Sequence, residues 1–239
     1  MIDHFLAKLR VRDEISPEEE EAIRGMLDPP VEIPADKTII PAGVELNVST
    51  LLLDGLLCRY KDLRDGSRQI SELHVPGDFA DLHSFTLKYL DHSVMALTKC
   101  RIATVRHDRL KAVIEAHPHL GRMFWFMTNL DAAIHREWVL SLGRRSAISR
   151  VAHLFCETRV RLEISGLADR RGYEFGITQA DLAECLGLTP VHVNRVLKEL
   201  REDGLVAFRG GRVHIHDLAG LERIAEFYPA YLYLDKRPR

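Results

Sequence analysis

Hydrophobic spacing changes character several times along the chain. Residues 3–27 carry a helical period in one or two short helices, the second opened by Ser16-Pro17-Glu18-Glu19, with Ser16 as cap and acids in the first turn. Beyond Pro29-Pro30 the texture becomes short β-rich runs: Val31–Ile33, Thr38–Ile40, Ser49–Leu53, Leu56–Asp62 and Arg68–His74, then a last pair, His92–Leu97 and Arg101–Arg106. Glycines at 43, 55, 66 and 77 punctuate them at spacings of 12, 11 and 11 residues, the rhythm of an antiparallel sandwich or roll, and Asp65-Gly66 reads as a hairpin turn. From Asp108 the period is helical again, first to Ala116 and then, after Pro118, in a long helix to about Gly143. On it Leu120, Phe124, Met127, Leu130, Ile134 and Trp138 recur every three or four residues. A narrow apolar seam of that length on a small β domain predicts packing against a second copy of itself. Arg144 to Ser146 reads as a hinge, Ala147–Ile164 as a further amphipathic helix and Gly166–Tyr173 as a polar loop.

The stretch from Ile177 to Ile215 (ITQADLAECLGLTPVHVNRVLKELREDGLVAFRGGRVHI) is the most specific in the chain. Thr178 is a helix N-cap, and Leu182, Ala183 and Leu186 share an inward face. Gly187 ends that helix. Thr189 caps the next, Pro190 takes its first position, and Val193, Val196, Leu197 and Leu200 form its apolar stripe. Leu205–Arg209 and Arg212–Ile215 then alternate around Gly210-Gly211, a two-residue hairpin turn. Two helices with a glycine-bearing turn and a β-wing make a DNA-reading module. The outer face of the second helix, with Pro190, Val191, His192, Asn194, Arg195 and Lys198, carries side chains suited to base edges rather than the usual Glu and Lys of a solvated face.

The chain has 239 residues, 46% of them hydrophobic and 28% charged, enough for a packed core. A formal net charge of −2 excludes a bulk polycation. Residues 146–239 hold 14 basic against 13 acidic side chains, so nucleic acid would have to be met by a local basic face: Arg195, Lys198, Arg201, Arg209 and Arg212. Cys58, Cys100, Cys156 and Cys185 are scattered among apolar neighbours and read as buried thiols. No metal is expected, because no set of residues shows ligand spacing. The amino terminus lacks a signal-peptide core and no apolar run approaches 18 residues, which predicts a cytoplasmic protein without a membrane partner.

The order of parts resembles the Crp/Fnr superfamily of bacterial transcriptional regulators over almost the whole chain. The likeness is carried by Val75-Pro76-Gly77-Asp78-Phe79 and by ITQADLAECLGLTPVHVNRVLKEL. It implies an α+β architecture: an N-terminal antiparallel β-roll of the cyclic-nucleotide-binding kind (1–109), a helix pair containing the long dimerisation helix (110–144), and a C-terminal winged helix-turn-helix (145–239). It further implies a homodimer on an inverted repeat in double-stranded DNA, with RNA polymerase as a partner if the protein activates. On matching positions, Arg195 would read a guanine, flanked by Asn194 and His192. Thr178, Gln179 and Thr189 would hold phosphates, and Lys198 and Arg212 belong to the same DNA-binding surface. Val191 stands where the family often has glutamate, so contact with a thymine methyl replaces one with a cytosine amino group.

The sensor departs from the family pattern. The Gly-Glu-Leu and Arg-Ser of cyclic-AMP-binding members correspond here to Ala80-Asp81-Leu82 and His92-Ser93. A neutral histidine and a shorter carboxylate argue against cyclic AMP. His135 and Arg136 of the long helix complete the expected effector pocket with Asp81, Leu82, His92 and Ser93. No cysteine precedes Cys58, which argues against an iron–sulfur sensor. His74, His83, His92 and His135 leave a haem sensor open, though none shows diagnostic spacing, and a redox thiol or no ligand at all remain alternatives. No phosphate-binding glycine loop, GxSxG or HExxH is present, so an enzyme is not expected. The competing reading is a regulatory subunit that controls a partner protein without specific DNA binding.

Overall fold

The computed structural model describes residues 2–237. Helices α1 (Asp3–Arg12) and α2 (Pro17–Met26) open the chain. Ser16 caps α2 reciprocally: its Oγ accepts from Glu19 N and Glu19 Oε2 accepts from Ser16 N. The roll follows, with β1 (Val31–Ile33), β2 (Thr38–Ile40), β3 (Val48–Asp54), β4 (Leu57–Asp62), β5 (Arg68–His74), a one-turn helix α3 (Ser84–Leu87), β6 (Ser93–Ala96) and β7 (Cys100–Arg106). Then come α4 (His107–Ala116), the long α5 (Pro118–Arg144), α6 (Ala147–Glu163) and strands β8 (Ala168–Asp169) and β9 (Gly172–Glu174). The last part comprises α7 (Gln179–Leu186), α8 (Pro190–Glu202), β10 (Val206–Arg209), β11 (Arg212–Ile215), α9 (Leu218–Ala225) and a 3-10 turn at Pro229–Leu232.

All three sheets are antiparallel. The roll packs a three-stranded sheet, β1-β7-β3, on a four-stranded one, β2-β6-β4-β5, around Ile40, Leu52, Leu57, Val94 and Ile102. β6 and β7, expected to pair, lie in different sheets. Alternation fixes which face of a strand turns inward and leaves its partner open. The polar loop 166–173 is also more ordered than its composition predicts. Asp169 Oδ1 accepts from Arg171 N and Gly172 N, closing a hairpin whose second strand extends the wing as β10-β11-β9-β8.

One continuous core joins roll to C-terminal part. Leu56, Ile70 and Leu73 share it with Trp138, Phe155, Leu182, Leu186 and Val193. Gln69 Nε2 seals the contact by donating to Glu184 O at 2.7 Å. A second core lies under α1, where the rings of Phe5, Phe79 and Phe124 meet at 5.3 to 6.5 Å. Removing one such ring costs about 3–5 kcal/mol.

The long helix corrects the expected seam. Phe124, Ile134 and Trp138 are buried within this chain, and Met127 and Leu130 are half-buried beside them. That stripe faces the roll and α6 instead of solvent. The face left open is one position on: Trp125, Asn129, Ala132, Arg136, Val139 and Gly143 are all exposed, at a heptad-compatible spacing.

Candidate nucleic-acid interface and the interior of the roll

Local sequence builds the reading head. Thr178 Oγ1 accepts from Asp181 N, and Asp181 Oδ2 accepts from Thr178 N, a capping box that starts α7. Gly187 at φ +61° ends it in the left-handed region. Thr189 then caps α8 by accepting from His192 N at 3.2 Å. Gly210 and Gly211, at φ +58° and +73°, supply the two positive φ values that the wing's tight turn requires.

α8 buries Val193, Val196, Leu197 and Leu200 and turns Pro190, Val191, Asn194, Arg195 and Lys198 outward, with His192 half-buried at its flank. Val191 is 81% exposed, an apolar side chain presented to solvent beside polar ones. Arg195 is exposed and pairs with no carboxylate among the described residues. Its neighbours are more engaged. Asn194 Nδ2 donates to Gln179 Oε1 at 2.8 Å, Lys198 lies 3.6 Å from Glu202, and Arg212 is paired at 2.5 Å with Glu174. Thr178 also donates its hydroxyl to Asp181, so its side chain is committed to the cap. Arg195 is thus an unpaired cation on the outer face of α8, whereas two of the predicted contact residues, Lys198 and Arg212, are locally neutralised.

Relatives and solved structures agree with this geometry. Residues 149–224 match the Crp-like helix-turn-helix domain and residues 30–117 the cyclic nucleotide-binding domain. The chain is 30% identical over 193 residues to the transcriptional activator protein FnrL of Cereibacter sphaeroides, covering 78% of this chain and 76% of that one. It is 31% identical over 176 residues to the nitrogen fixation regulation protein FixK of Bradyrhizobium diazoefficiens, covering 73% and 72%. FixK2 from Bradyrhizobium japonicum shares the fold at a TM-score of 0.74 and 24% identity, covering 82% of this chain and 96% of FixK2. The chain belongs to the Crp/Fnr family. It is a DNA-binding transcriptional regulator, not an enzyme, and no helix among its described residues is long and apolar enough to cross a membrane.

In this Crp/Fnr protein the six residues of the expected effector pocket do not converge. Asp81 is buried with Oδ1 accepting from Thr50 N, and burial pushes its carboxyl up to about 7. Leu82 is packed in the core under α1. Ser93 Oγ accepts from Ala42 N. His92 lies against His83 and Asp91, and burial holds its imidazole below the usual range. His135 and Arg136 are exposed on α5.

The interior holds instead a cation that sequence reasoning missed. The guanidinium of Arg59 donates to Ala80 O twice, to Glu72 Oε2 at 2.6 Å and to Asp131 Oδ2 at 2.5 Å. Asp131 therefore faces inward within its own chain. Burial raises the Glu72 carboxyl well above the ordinary range and lowers the imidazole of His74 well below it. Asp78, in the turn after β5, accepts from Val75 N. It also accepts from Lys8 Nζ and, at 2.9 Å, from Arg161 Nη2, tying α1, the roll and α6 together. The four cysteines are free and buried, and burial pushes the Cys156 thiol up to about 12. The aromatic tail also has a place: Phe227 and Tyr231 wall in His153, and Tyr231 donates to Glu157.

Proposed function

We propose that this Crp/Fnr protein is a homodimeric regulator that reads an inverted repeat with α8, with Arg195 as the base-reading cation. The observation that carries this reading is the outward face of α8, where an unpaired arginine stands beside an exposed valine. Arg195 suits a bidentate contact to guanine. Val191, unable to accept a hydrogen bond, suits a thymine methyl. Thr189 and Lys198 remain placed for phosphate, whereas Arg212 would first have to leave Glu174.

The partner face is the heptad of Trp125, Asn129, Ala132, Arg136, Val139 and Gly143. Small residues at Ala132 and Gly143 let two helices approach, and a polar Asn129 would fix register. Trp125→Glu with Val139→Glu would leave a folded monomer, as read by sedimentation. A dimer that survives both changes would place the seam elsewhere. Cyclic AMP is not the signal in this reading. The buried arginine of the roll is held by internal carboxylates instead of being offered to a cyclic phosphate, and Asp81 is turned into the backbone, away from a ribose hydroxyl. Residence in the cytoplasm and, for an activator, contact with RNA polymerase belong to the same proposal.

Selection of duplexes from a random pool with the purified chain tests the function. The expected product is a two-fold repeat whose half-site centres lie about 34 Å apart, one helical turn. Failure to enrich any repeat at low salt would contradict it.

A further inference from the structure

Beneath the long helix, three side chains that no motif connects meet in one buried place. Glu72 and His74 alternate on β5 and so point to the same face of the sheet, and Asp131 reaches them from the middle of α5. One ligand-capable atom from each lies within 4.8 Å of the other two. Glu72 is 1% exposed and His74 0%. Both ring nitrogens of His74 find no hydrogen-bond partner among the described residues, and the Glu72 carboxyl oxygen not held by Arg59 has only the neighbouring Asp131 carboxyl to meet. Orphaned polar atoms this deep are uncommon, and each costs about 1–3 kcal/mol. Two of them on one imidazole, facing two carboxylates, call for something between.

We propose that Glu72, His74 and Asp131 form a divalent-cation site that links the roll to the long helix. An imidazole nitrogen with two carboxylate oxygens is a donor set for Zn²⁺, Mn²⁺ or Fe²⁺, and the absence of a thiolate disfavours softer ions. Metal–ligand lengths of about 2.0–2.2 Å require the three atoms to stand closer together than the 4.8 Å that bounds them here. Arg59 does not block the site. It holds one oxygen of each carboxylate, Glu72 Oε2 and Asp131 Oδ2, and leaves the second oxygen of each for the ion. A donor on the far oxygen is the kind of outer contact that orients ligating carboxylates. Its positive charge also weakens the site relative to the same ligands alone, which suits reversible occupancy. The Asp131 side chain is 23% accessible and marks the way in, by which water would complete the coordination of a bound ion.

Because the ligands come from β5 and α5, occupancy would fix the sheet against the helix whose outer face is the proposed dimer seam. That coupling rests on the dimer reading. The site itself does not.

The test uses the full chain, stripped with chelator and titrated calorimetrically with ZnCl2 and MnCl2. One ion per chain is expected, with Asp131→Asn and His74→Gln each weakening it by about 100-fold. A Co²⁺-loaded sample should show ligand-field bands of nitrogen and oxygen ligation without thiolate charge transfer. Asp131→Asn is the milder substitution, and it decides the matter if His74→Gln fails to fold. The proposal falls if the wild type binds no stoichiometric ion, or if binding survives both substitutions and so belongs to surface histidines.

Discussion

The reading head and the interior of the roll are built on opposite terms. In the head, every feature that matters is local and outward. Caps at Thr178 and Thr189, the left-handed Gly187 and the paired glycines of the wing lie within a few residues of what they organise. In the roll, the features that matter are buried and assembled from afar. Arg59, Glu72 and Asp131 come from two strands and a helix, and Lys8, Asp78 and Arg161 from α1, a turn and α6. Substitution should therefore separate the two regions: losses in the roll appear as stability, and losses in the head as recognition.

The largest stability effect is expected at Arg161, which donates to Leu73 O, Asp78 and the fully buried Glu157. Arg161→Ala removes charge from two buried carboxylates and should cost about 3–5 kcal/mol in denaturant unfolding. A loss below 1 kcal/mol would mean that this network is not what ties the domains together.

Next in size is an acid effect at His153. Burial, with help from the Arg145 guanidinium, lowers its imidazole to about 3. Glu137 Oε1 stands 3.4 Å away but is held by Arg145. A depressed histidine contributes stability that is present above its unfolded value of about 6.5 and lost as pH falls toward 3. Asp81, raised to about 7, works in the opposite sense, losing stability as pH rises from 3.8 toward 7, so the wild-type curve is a difference. His153→Gln isolates one side of it. Between pH 7 and pH 4 the variant should lose roughly 3 kcal/mol less than wild type. Parallel curves would show that His153 takes up its proton without strain.

Smaller still is the cap. Thr189→Ala should destabilise by about 1 kcal/mol while leaving the roll untouched, as read by amide exchange confined to α7 and α8.

The same contrast explains what the sequence disclosed. Caps, turns and the α8 stripe are written in contiguous residues, so the head was legible down to single positions. Fold class and strand positions were legible for the same reason. The seam of α5 was not, because Met123-Phe124-Trp125-Phe126-Met127 is apolar on every side. Periodicity there cannot choose between the face buried in the chain, with Phe124, and the face left open, with Trp125. Strand partnering of β6 and β7 was hidden because alternation carries no partner. The buried ions were hidden because Arg59, Glu72 and His74 look like ordinary alternating strand residues until Asp131 is folded over them.

In the proposed reading Arg195 contacts a base while the fold owes it nothing. The most direct measurement is the affinity of wild type and Arg195→Ala for the selected duplex and for a scrambled one, by fluorescence anisotropy over a range of salt. The variant should lose about 1–3 kcal/mol per half-site on the selected duplex, change little on the scrambled one, and keep an unfolding free energy within about 0.5 kcal/mol of wild type. An equal loss on both duplexes would put Arg195 on the phosphate backbone, and no loss on either would remove α8 from the reading role.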